Sequence, residues 1–123
     1  MAASSASFHE SEGSLTPETR DLHRAIVSLM EELEAIDWYQ QRIEGAGDAE
    51  LKEILRHNRD EEKEHAAMVL EWIRRRDPGF DEHLRTFLFT EGPITAREPG
   101  GPAAKGGGPA RPAVTVGSLR GAR

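Results

Sequence analysis

The chain has 123 residues, 22 Asp and Glu against 16 Lys and Arg, a formal net charge of -6 and no cysteine. That length holds one domain at most, and the lack of cysteine excludes disulfides, thiolate metal sites, iron–sulfur clusters and a cysteine nucleophile. No stretch approaches the ~18 apolar residues of a membrane span, and the opening MAASSASFHESEG has neither the basic nor the apolar region of a signal peptide, so a soluble intracellular protein without a membrane partner is expected.

Residues 1–15 show no apolar periodicity and are expected to be disordered. Thr16-Pro17-Glu18 marks a helix start: a hydroxyl N-cap, proline at the first helical position and an acid in the first turn. Leu22, Ile26, Leu29, Leu33, Ile36 and Ile43 follow at spacings of three and four, with Gln40 alone breaking the series, until Gly45-Ala46-Gly47. Asp48 caps a second helix whose seam is Leu51, Leu55, Asn58, Glu62, His65, Val69 and Trp72. Arg74, Arg75 and Arg76 fill its last turn, where cations complement the helix dipole, and Asp77-Pro78-Gly79 stops it. A shorter third helix is expected from about Gly79 to Thr90, with Phe80, Leu84, Phe87 and Leu88 apolar.

Residues 16–92 hold nineteen acidic against eleven basic residues, which argues against nucleic acid and suits a cation partner. From residue 93 onward the balance reverses to five basic against one acidic, and 12 of the 31 residues are Gly or Pro, so a packed core is not expected there. The fold class expected is all-α. Two long helices joined by a tight glycine-containing turn make an antiparallel hairpin, with the short third helix after it. One hairpin of this size cannot cover its own apolar stripe, and two can, by forming a ferritin-like four-helix bundle. A dimer at least is therefore expected.

Glu62 and His65 are out of place on a stripe that should be buried. Three apart, they project from one face of the helix, and Glu32 lies on the flank of the first helix's stripe. One carboxylate from one helix with Glu-x-x-His from its neighbour is half of the di-iron carboxylate arrangement, and a second chain could supply the other half by two-fold symmetry. Carboxylates plus imidazole without sulfur favour iron or manganese, with zinc a competitor. A Glu–His or Glu–Arg pair at an oligomer interface would account for the same positions. Tyr39, seven residues from Glu32, could cover such a site or simply fill the seam. Glu31, Glu34 and Trp38 form a second stripe, readable as an outer cation-uptake site or as an exposed acidic face. His57 with Glu61 reads as a surface pair, with a transient metal contact as the alternative.

Three blocks, HRAIVSLMEELEAIDWY (23–39), HNRDEEKEHAAM (57–68) and HLRTFLFTE (83–91), resemble the three helices of the encapsulated ferritins. The likeness covers about residues 16–95. VTVGSLR (114–120) resembles the encapsulin-targeting peptide that such cargo proteins carry after a flexible linker. The resemblance implies a ferroxidase that turns Fe(II) into Fe(III) at a di-iron centre between two subunits, in a ring of dimers, usually a decamer, within an encapsulin nanocompartment in the cytoplasm. It implies Glu32, Glu62 and His65 from each of two chains as iron ligands, Tyr39 beside the centre, and Glu31 and Glu34 with Trp38 as the secondary uptake site. The organisation expected is then a disordered segment over 1–15, a ferritin-like hairpin domain over 16–92, a Gly/Pro-rich linker over 93–113 and a targeting peptide over 114–123. A metal-free helical cargo or adaptor protein is the alternative.

Overall fold

The computed structural model describes residues 6–100. Three α-helices account for most of them: α1 (Pro17–Gly45), α2 (Ala49–Arg76) and α3 (Pro78–Phe87). Among the described residues there is no strand, and no helix is long and apolar enough to cross a membrane. The fold is all-helical, as the periodicity predicts.

The caps act where the local chemistry puts them. Thr16 accepts the Thr19 backbone N–H at 3.1 Å ahead of Pro17, and Asp48 accepts that of Leu51 at 2.9 Å. Each thereby satisfies one of the first-turn donors that have no partner inside the helix. Ala46 leaves α1 in an extended conformation while its N–H still closes on the Arg42 carbonyl at 2.9 Å, so Ala46–Asp48 suffice to reverse the chain. Side chains then meet across the hairpin at Gln40 with Arg59 and, farther from the turn, at Glu32 with His65, the pairing of antiparallel helices. The fully buried part of this core is small: Ile43 beside the turn, Ala66 and Ile73. Ile26, Leu33, Ile54 and Met68 each leave more than two fifths of their surface open, at 43, 54, 53 and 58%. That much exposed aliphatic surface is what an uncovered hairpin presents.

Residues 6–15 depart from the expectation of disorder. A 3-10 turn spans Glu12–Ser14, and two side chains of α1 hold the segment in place. Arg20 donates to the carbonyls of Leu15 and Glu12, and His23 donates through Nε2 to the Ala6 carbonyl at 2.7 Å while its ring meets Phe8 with centroids 4.6 Å apart. These bonds join side chains to backbone carbonyls, which leave no trace in hydropathy.

The described residues divide into two compact units between Arg76 and Asp77. In the second, Asp77 caps α3 by accepting the Phe80 N–H at 3.1 Å. The helix closes at Phe87, earlier than the expected Thr90, because Phe89 takes a left-handed conformation (φ 59°) and Thr90 turns its hydroxyl onto the Phe87 carbonyl at 2.8 Å. A left-handed residue cannot continue a right-handed helix. A second 3-10 turn, Ile94–Arg97, falls where the linker was expected to begin, and Arg97 donates to the Glu91 carbonyl at 2.9 Å. The remainder of that linker and the peptide over 114–123 lie outside the described residues.

Candidate metal centre

α1 contributes Glu32, and α2 contributes Glu62 and His65 one helical turn apart. One donor atom from each lies within 4.8 Å of the other two. The His65 Nδ1–H donates to Glu62 Oε1 at 3.2 Å and lies 3.8 Å from Glu32 Oε1. The two carboxyl groups are close enough to bias each other's protonation in opposite directions. Side-chain exposures of 25% for Glu32, 23% for Glu62 and 43% for His65 mean that the cluster is neither sealed in the core nor spread on the surface. An ion could reach it, and a further set of donors could close over it.

The electrostatics follow from this crowding. Glu32 holds its proton to a higher pH than an ordinary glutamate, first because it donates to Glu62, then through partial burial and repulsion from Glu62. Glu62 moves the opposite way: accepting from Glu32, and then from His65, stabilises its anion. The imidazolium of His65 is favoured by its bond to Glu62, ahead of the charges of Glu32 and Glu62. Two of the three groups, Glu32 and His65, therefore hold a proton more readily than they would in isolation. A divalent cation would replace that positive charge, and oxygen donors with one imidazole suit iron or manganese.

The three-donor cluster does not include the other residues singled out in the sequence. Tyr39 is half-buried and has the Arg42 guanidinium 5.5 Å from its ring centroid, and the same guanidinium lies 6.0 Å from that of Trp38. Arg42 went unnoticed in the sequence, although its spacing of three and four from two aromatics is the signal of such stacking. Glu31 is exposed and Glu34 half-buried; neither belongs to the three-donor cluster, though the Glu31 charge adds to the pressure on Glu32. His57 and Glu61 pair at 3.3 Å on open surface.

The chain is similar to known proteins over most of its length. The EncFtn-like family matches residues 7–91. A Rhodospirillum rubrum protein named encapsulated ferritin-like protein is 58% identical over 130 aligned positions, covering 98% of this chain and 93% of its own length. A Thermotoga maritima protein named ferritin-like protein is 56% identical over 91 positions, covering 74% of this chain and 80% of its own. Among solved structures, that of protein ne0167 from Nitrosomonas europaea superposes with a TM-score of 0.69 at 63% identity, over 71% of this chain and 96% of that one.

Proposed function

This chain belongs to the EncFtn-like family, and we propose that it is a ferroxidase, oxidising Fe(II) to Fe(III) at a two-iron centre built between two copies of the chain. The observation that carries this reading is the convergence of Glu32, Glu62 and His65 within 4.8 Å on one open edge of the hairpin. A second copy facing it doubles the donors to four carboxylates and two imidazoles and covers the aliphatic surface that a lone hairpin leaves exposed.

The ferrous ions are the substrate. Loading them competes with protons on Glu32 and His65, whose protonated forms the cluster favours, and four ionised carboxylates balance two divalent cations. Hard oxygen donors favour the ferric over the ferrous state, so the ligand set itself promotes oxidation. Each Fe(II) releases one electron, and a pair delivers two to oxygen or peroxide. Tyr39 flanks the centre, and Glu31 and Glu34 with Trp38 collect cations on the outer side of α1.

The reaction takes place within an encapsulin compartment, where the ferric product is stored. Two relatives support this part of the reading by their names: the R. rubrum protein, and a Myxococcus xanthus protein named as an encapsulin nanocompartment cargo protein, 39% identical over 66 positions, about half of each chain. Val114, Val116 and Leu119 are the anchors of the targeting peptide.

Anaerobic Fe(II) addition followed by air, with Fe(III) absorbance recorded for wild type and Glu32→Ala, tests the chemistry. Rapid oxidation abolished by the substitution is expected. No oxidation by wild type would leave a metal-free cargo protein. Removing residues 114–123 should preserve oxidation and abolish packaging in co-expressed encapsulin; undiminished packaging would refute the role of the peptide.

A further inference from the structure

Gln40 is the residue that interrupts the aliphatic series of α1. Both ends of its side-chain amide are engaged. Oε1 accepts from Arg59 Nη1 of α2 at 2.8 Å, and Nε2 donates to Glu44 Oε2 of its own helix at 2.8 Å. The Arg59 side chain, only 20% exposed, runs along the helix interface with its Nε and Nη2 on Asp60 Oδ1, both at 2.9 Å. The result is a ladder of four polar side chains, Glu44–Gln40–Arg59–Asp60, anchored on each helix and joined once across the hairpin.

We propose that Gln40 and Arg59 are positioning residues for the metal centre: their bond sets the rotation and register at which Glu62 and His65 meet Glu32. This rests on reading those three as the iron-binding donors. Apolar contact along the seam is non-directional, so it tolerates small slides and rotations. A metal site does not, because its donors must converge within a few ångströms. The turn holds register only at its own end. Glu32 precedes Ala46 by fourteen residues and Glu62 follows Asp48 by fourteen, roughly 20 Å along each helix, over which small errors accumulate. The Gln40–Arg59 bond lies between turn and site, and Arg59 is three residues from Glu62, about 60° around the same helix. A rotation of α2 that would carry Glu62 and His65 away from Glu32 has to break it. A single polar contact in an apolar seam is the best-attested device for fixing register, commonly at some cost in stability.

The test uses the full chain and Co(II), whose visible absorption bands report ligand number and geometry without any oxidation. Gln40→Leu and Arg59→Met keep side-chain bulk and remove the bond; Gln40→Glu keeps an acceptor for Arg59. We expect Gln40→Leu and Arg59→Met each to weaken Co(II) binding roughly tenfold or more and to alter the bands, the range known for lost outer partners of metal ligands, with helical circular dichroism retained. Gln40→Glu should keep wild-type affinity and bands, a rescue that packing alone would not produce. Wild-type bands and affinity in Gln40→Leu would overturn the proposal, and if that variant fails to fold, the same result in Arg59→Met would do so. Glu62→Ala separates the two levels: equal Co(II) binding by it and by wild type would mean that the donor assignment has failed, whatever Gln40 does.

Discussion

Two glutamate–histidine pairs stand on α2, His57 with Glu61 at 3.3 Å and Glu62 with His65 at 3.2 Å. Separation does not distinguish them; surroundings do. The first is open to water, at 69 and 53% exposure, where solvent screens its charges and little is gained. The second faces α1, which adds Glu32 and leaves Glu62 less than a quarter exposed. There Glu32 is pushed toward its protonated form, Glu62 toward its anion and His65 toward its imidazolium. The Glu–His unit is thus common property of a charged helix, and the neighbouring helix turns one copy of it into a candidate site.

The sharpest way to break this contrast is to remove its inner members. Glu62→Ala, Glu32→Ala and His65→Ala should each lower the Fe(II) oxidation rate by more than the roughly 10–100-fold that losing an outer partner costs, with helical content kept. A rate near wild type in Glu62→Ala would erase the distinction. Assembly is the next readout. Four carboxylates brought together at a dimer interface repel unless protonated or compensated, so a cation bound only in the associated state stabilises association. Chelator-treated protein should shift to smaller species in size exclusion with light scattering, and Fe(II) or Zn(II) should restore the larger one, with Zn(II) inhibiting oxidation. Identical mass throughout would show that apolar packing alone closes the interface.

Protonation gives a smaller, graded effect. His65 is raised above its ordinary 6.5 by the hydrogen bond to Glu62 and then by the carboxylate charges, so its contribution to the metal-free fold is complete below that value and is lost as pH rises through the folded one. Glu62, lowered from 4.5 by accepting from Glu32 and then from His65, contributes above 4.5 and loses that contribution as pH falls through its folded value. A cation competes with the proton on His65 and with the one Glu32 holds. Co(II) affinity should therefore rise with pH, by up to about tenfold per unit while the ring titrates, and less steeply in His65→Ala. A flat titration from about pH 6 to pH 8 would contradict the proton competition at His65. The smallest effect belongs to the outer pair: His57→Ala should leave oxidation within about twofold of wild type, as expected where solvent already screens the interaction.

What could be read from the sequence was what local chemistry decides. Thr16-Pro17 and Asp48 each place a cap within three residues of the N–H it accepts, so those two helix starts were legible, as was the turn after Gly45, whereas Asp77 was legible as the stop of α2 and not as the cap of α3. Glu32 and Glu62–His65 were legible because they sit on or beside apolar stripes where charge is out of place. The end of α3 was not: Phe89 adopts a left-handed conformation without the glycine or asparagine that usually signals one. Nor was the path of residues 6–15, set by Arg20 and His23 reaching backbone carbonyls. Gln40 showed only as a gap in a pattern, since its partner Arg59 lies nineteen residues away.

The three-residue turn Ala46–Asp48 also dictates an order of events in time. Contacts across the hairpin open outward from it: Gln40 meets Arg59 across nineteen residues of chain, and Glu32 meets His65 across thirty-three. Loop closure is cheapest beside the turn, and chains dominated by such local contacts fold in microseconds to milliseconds. Closure outward from the turn would therefore bring Gln40 to Arg59 before Glu32 meets His65. Contacts within one chain form at a rate independent of concentration, whereas joining two halves of the proposed centre depends on it.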